Sequence, residues 1–151
     1  MAVTAMNLAE TRRALSFFPR GLYLLTSRFE QKRAGQLVAS VQPCAEEPLM
    51  ICVAAKKGHP IEPLIRDSHS FAICRIDPED KLILRKFGAN GGQSGDAFDS
   101  LELERLATGA PVPKRSLAAM DCTVMRHLDV EADHELYIGQ VLACRVYASQ
   151  V

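Results

Sequence analysis

The chain carries no excess of charge of either sign: 18 lysines and arginines balance 18 aspartates and glutamates. A nucleic-acid binder uses a basic surface to displace counterions from phosphates, so no nucleic-acid partner is expected. Long apolar runs are missing too; none approaches the roughly 20 residues that cross a bilayer. The opening MAVTAMNLAETRRAL sets its arginines after the apolar stretch and has no signal-peptide core. The five cysteines (Cys44, Cys52, Cys74, Cys122 and Cys144) are odd in number and form no CxxC. That argues against a disulfide framework; four of them lie in apolar strand-like runs, where cysteine behaves as a small hydrophobe. The histidines (His59, His69, His127, His134) show no i, i+4 or cysteine-paired spacing, so no metal site is expected. These absences together predict a soluble, cytoplasmic protein with no membrane contact.

What is present fits an ordinary folded domain: 151 residues, 48% hydrophobic and 24% charged, enough for one core. Asn7 followed by Glu10 reads as a helix start, with Leu8, Thr11, Leu15 and Phe18 at helical spacing and Pro19 as the stop. Strand-like runs follow at 21–27, 36–42, 48–55, 70–76, 117–128 and 135–146. The run PLMICVAA (48–55) is apolar on both faces, which predicts a central strand. Residues 28–34 read as a hairpin turn. Short helices are expected after Pro60 and from Asp77-Pro78 to a Gly88 cap. Six strands not separated by regular helices argue against a doubly wound sheet and for a mainly antiparallel barrel or sandwich with a few short peripheral helices. No repeat or linker divides the chain, so residues 1–151 are expected to form one domain.

Three stretches invite chemistry. GANGGQSG (88–95) lacks GK[ST] and no strand precedes it, so it reads as a surface loop or lid and not a nucleotide cradle. KKGHP (56–60) lies between an apolar strand and a helix start, where free backbone N–H groups and the helix dipole favour an anion such as phosphate; the alternative is a pair of solvated turn lysines. VASVQ (38–42) sets small residues, Ala39 and Ser40, on a bulky strand, which lets a flat ligand reach the backbone or simply packs tightly. Asp133 and His134, in DHELYIGQV (133–141), precede the last strand. They form either a solvated turn or a pair aimed at a ligand across the sheet end. No nucleophile elbow supports a Ser-His-Asp reading.

Four segments in order resemble the flavin reductase-like family, the FMN-binding split barrels. They are LSFFPRGLYLLTS (15–27), GQLVASVQPCAEEPLMICVAAKKGHPIEPL (35–64), FAICRI (71–76) and DCTVMRHLDVEADHELYIGQVLACRV (121–146). The resemblance implies a mainly β, antiparallel split β-barrel and a homodimer with the flavin near the subunit interface. It implies FMN, with FAD as the alternative, and NAD(P)H as electron donor. Backbone groups of residues like Val38, Ala39 and Ser40 would meet the isoalloxazine, and residues like Lys57, Gly58 and His59 the phosphate. Asp133 and His134 would face the nicotinamide, with His134 orienting it while hydride passes directly to flavin N5. The implied activity is NAD(P)H-dependent flavin reduction, with an electron-accepting enzyme as partner. A non-catalytic FMN-binding electron carrier and a flavin-free split-barrel scaffold are the alternatives.

Overall fold

A computed structural model describes residues 7–88 and 96–148. The glycine-rich stretch expected to be a loop or lid lies almost wholly outside the described residues. In chain order the elements are α1 (Leu8–Leu15), β1 (Tyr23–Phe29), β2 (Lys32–Val38), β3 (Ser40–Glu46), β4 (Leu49–Lys56), α2 (Ile61–Ser68), β5 (Ser70–Arg75), α3 (Lys81–Phe87), β6 (Leu103–Glu104), β7 (Val112–Pro113), β8 (Ala118–Asp129) and β9 (His134–Val146).

Local chemistry sets the boundaries. Asn7 caps α1 by accepting from the Glu10 N–H (3.1 Å), as the sequence suggests. The helix stops at Leu15, before the expected Phe18, because the Ser16 hydroxyl turns back onto the Arg13 carbonyl (2.6 Å). None of its residues is buried. The expected 28–34 turn shrinks to Glu30-Gln31: Phe29 already pairs with Lys32, and Glu30 takes the left-handed conformation (φ 55°) that the tight reversal needs. Pro60 is the cap of α2 and not its first residue. The third helix begins at Lys81, later than Asp77-Pro78, because Asp80 supplies the side chain that accepts from Ile83 N–H. Gly88 closes it as expected, its N–H donating to the Leu84 carbonyl (2.9 Å).

Seven strands form one antiparallel sheet in the order β2-β1-β5-β8-β9-β4-β3. Its two edge strands, β2 and β3, are consecutive in the chain and meet at a bend on Ala39. The sheet therefore has to roll round on itself, yet no ladder joins β2 to β3, so the barrel is split at that corner. Two expectations are corrected here. The single strand over 36–42 is broken at Ala39, and the strand at 48–55 is next to the edge; β8 is central. The interior of the roll holds Leu25, Val53, Phe71, Ile73, Cys122 and Tyr137, with Ile61 and Ile65 of α2 packed among them. Alternate residues of β1 and β5 point the other way. There Leu24 and Cys74 join Ile83 and Phe87 of α3 with Phe98 and Val112 in a second cluster. Burial pushes the Cys74 and Cys122 thiols up to about 12, so both act as core hydrophobes.

Candidate functional site

The last turn of β4 and the start of β9 lie side by side: Lys56 pairs with His134, which is the first residue of β9 and not a residue before it. The Lys57 N–H continues the contact by donating to the Asp133 carbonyl (3.0 Å). The KKGHP turn and the Asp-His pair, 70-odd residues apart in sequence, are thus one surface. His134 Nδ1 lies 2.9 Å from Asp133 Oδ1 and both side chains are exposed. The hydrogen bond and charge of His134 hold the Asp133 carboxyl below the usual carboxylate range.

The turn's own groups are mostly engaged, which corrects the expectation of free backbone donors. Gly58 adopts φ 83°, a conformation that glycine takes without strain. Its N–H donates to Glu62 Oε2 (2.9 Å), the Ile61 N–H donates to His59 Nδ1 (3.0 Å), and the Lys57 ammonium lies 2.5 Å from Asp129 Oδ1. Burial lowers the His59 pKa, which favours a neutral ring, and its Nε2 has no partner among the described residues. Glu62 in turn meets Glu135, which is only 4% exposed. Glu135 accepts from the Tyr137 hydroxyl and lies 3.2 Å from His127 Nε2, and the His127 ring stacks on Tyr137 with centroids 4.6 Å apart. The hydrogen bond to Glu135, with burial, raises Glu62; burial also pushes Glu135 up, but hydrogen bonds from Tyr137 and Glu62 and the charge of His127 outweigh it.

His59 faces a cleft of about 600 Å³ between β2, the start of α2 and α3, whose walls include Arg33, Gln36, Lys86, Phe87 and Phe98. Phe87 and Phe98 meet edge to face at 4.9 Å, and the Arg33 guanidinium lies 5.4 Å from the Phe98 ring centre. Gln36 spans the split in the barrel: its Nε2 donates to the Lys56 carbonyl (3.1 Å). Its Oε1 is buried and has no partner among the described residues. A cleft with aromatic and cationic walls suits a flat heteroaromatic ligand that bears an anionic group, and a flavin is such a molecule. A more open hollow of about 490 Å³ near His69 and Arg105 contains none of the expected site residues.

The remaining expected residues lie at the corner of the barrel. The Val38 side chain is buried in the interior cluster and is a packing group. Ala39 forms the bend, its carbonyl accepting from Gly21 N–H (3.0 Å), and Ser40 is exposed opposite Ala54. Gln36, two residues upstream, ties this corner to the turn. Sequence reasoning missed Gln36, Glu62, His127 and Glu135. Glu62 was within reach of the pattern, since four residues separate it from Gly58 at a helix start. His127 and Glu135 meet only through the β8–β9 register, which sets His127 opposite Tyr137.

The profile of the family described as flavin reductase like domain matches residues 15–150. The ferric-chelate reductase (NAD(P)H) of Archaeoglobus fulgidus is 25% identical over 128 residues, covering 83% of this chain and 75% of its own. A putative diflavin flavoprotein A 1 of Thermosynechococcus vestitus is 27% identical over 135 residues, covering 89% of this chain but 24% of its own length, so the chain spans about a quarter of that relative. Among solved structures, nitrilotriacetate monooxygenase component B from Mycobacterium thermoresistibile superposes with a TM-score of 0.81 at 22% identity, covering 95% of this chain and 78% of that one. The rolled sheet has the fold of that solved structure, and the chain belongs to the flavin reductase like domain family.

Proposed function

We propose that the chain is an NAD(P)H-dependent flavin reductase, a single domain that works as a homodimer, with FMN, or FAD in its place, as the flavin. The observation that carries the reading is the convergence of the turn at 56–59, the Asp133–His134 pair and the Gln36 bridge on the split of the barrel. A bound flavin supplies a hydride acceptor at N5. The chain's own part is placement. Lys57, Gly58 and His59 would hold the phosphate end, and the backbone of Val38, Ala39 and Ser40 the ring. His134, held by Asp133, would orient the nicotinamide. Fixing two rings at reactive distance converts a bimolecular encounter into an aligned one, which removes much of the entropic barrier.

Reduced flavin needs a consumer, and the resemblance to a monooxygenase component supports an electron-accepting partner enzyme. The free cysteines, two of them exposed, fit a reducing compartment and hence the cytoplasm. A second reading, a flavin-binding electron-carrier module, is favoured by the match to one quarter of a diflavin flavoprotein.

Fluorescence titration with FMN, FAD and riboflavin, followed by NADH and NADPH oxidation with and without flavin, tests these readings. Flavin binding with flavin-dependent oxidation is expected; flavin binding without any nicotinamide oxidation would select the carrier. Neither activity removes both. His134→Ala should raise KM for the nicotinamide roughly tenfold, the worth of about one charge-assisted hydrogen bond, with flavin affinity unchanged. Equal losses in the two would assign His134 to structure.

A further inference from the structure

A phosphate arriving at the turn meets a resident anion. Gly58, in its left-handed conformation, aims its N–H at Glu62 Oε2 (2.9 Å), and Glu62 is backed by the buried Glu135. The cations around that point are already committed. Lys57 is held by Asp129 (2.5 Å), Arg66 of the same helix lies against Asp67 (3.3 Å), and burial favours the neutral form of His59. Among the described residues around the turn, Lys56, across the ladder from His134, is the cation with no ion pair. Displacing Glu62 would also take it away from Glu135, leaving that buried group to Tyr137 and His127.

We propose that Glu62 determines which flavin the turn accepts: its carboxylate competes with a phosphate monoester for the Gly58 N–H and so selects against charge at the ribityl end. The inference rests on the flavin reading of the site. A phosphate monoester carries about −1.5 to −2 at neutral pH, and riboflavin carries no phosphate. The order of preference at this turn is therefore riboflavin before FMN, which refines the expectation that Lys57, Gly58 and His59 favour phosphate outright.

The test is a set of fluorescence titrations of riboflavin, FAD and FMN against the wild-type chain and Glu62→Gln. Glutamine keeps an acceptor for the Gly58 N–H while removing the charge. The wild type should bind riboflavin at least as tightly as FMN. Glu62→Gln should tighten FMN relative to riboflavin by roughly tenfold, the scale of one like-charge contact between neighbouring groups. A wild type that prefers FMN tenfold over riboflavin, or a variant that leaves the ratio unchanged, overturns the role of Glu62 and leaves the flavin reading standing. If the variant does not fold, the wild-type ratio decides alone. If none of the three flavins binds the wild type, the flavin reading falls and takes this inference with it.

Discussion

A methyl group added at Gly139 would lie 2.6 Å from the Phe71 ring and 2.7 Å from the Cys122 Cβ. Phe71 is fully buried and tilted against Tyr137, with ring centres 6.3 Å apart, and Tyr137 carries the Glu135–His127 cluster behind the turn. An alanine there has to push Phe71 or spread β8 from β9. Overpacking of this kind costs about 1–3 kcal/mol, so Gly139→Ala should lower the melting temperature by roughly 2–10 °C. An unchanged melting curve would mean that Phe71 yields freely and that the barrel is not tightly packed there. The Ile-Gly pair stands out in the sequence only as part of a resemblance. Its physical reason was not legible, because the ring that fills the missing side chain's place comes from β5, two strands away in the sheet.

At the scale of elements, α3 shows how a distant contact chooses a boundary. Leu82, Ile83 and Phe87 recur at helical spacing in the sequence, and Ile83 and Phe87 are the residues the helix buries. Its start was not legible, since Asp77 and Asp80 are equally good caps by type. Asp80 prevails because Arg115, 35 residues on, grips both its oxygens (Nε 2.7 Å, Nη2 2.9 Å) while it caps Ile83. The hydrogen bond from Arg115 holds the Asp80 carboxyl below its ordinary range. A depressed carboxylate contributes stability that is complete above its unfolded pKa of about 4 and is lost as pH falls through the folded value. Asp80→Ala should therefore destabilise at pH 7 by about 1–2 kcal/mol, mostly the lost cap, since Arg115 is half exposed and screened. The gap between wild type and variant in urea melts should narrow from pH 5 down to pH 3. A gap that stays constant over that range would rule out the charge as its source.

For the molecule as a whole, a mainly antiparallel fold, barrel or sandwich, was legible because strand-like runs bounded by turn residues mark its strands, while the corner of the split was not, because Ala39 breaks a β-type run that contains no turn signal. The same alternation raises a further question on the outer surface. The solvent side of an antiparallel sheet normally reads polar, yet the outward positions of β4 are Met50, Cys52 and Ala54. Ile138 and Leu136 of β9 stand beside Cys52 and Ala54, and Leu128 of β8 beside Leu136. Met50, Cys52, Ala54, Leu136 and Ile138 are half-exposed and belong to neither buried cluster. Leu128 is exposed, as are Leu8, Leu15, Phe17 and Phe18 around α1. A contiguous apolar face of this kind on a sheet marks a protein interface, and a second copy supplies a matching one by two-fold symmetry. Light scattering after gel filtration should give twice the 16.6 kDa chain mass. Ile138→Glu, which sets a carboxylate in the middle of that face, should halve the mass with the strand content of the circular dichroism spectrum retained. If flavin sits near the interface, its affinity should fall in the same variant. A wild type that scatters as a single chain at micromolar concentration leaves the apolar face to some other partner and removes the dimer from the proposed mechanism.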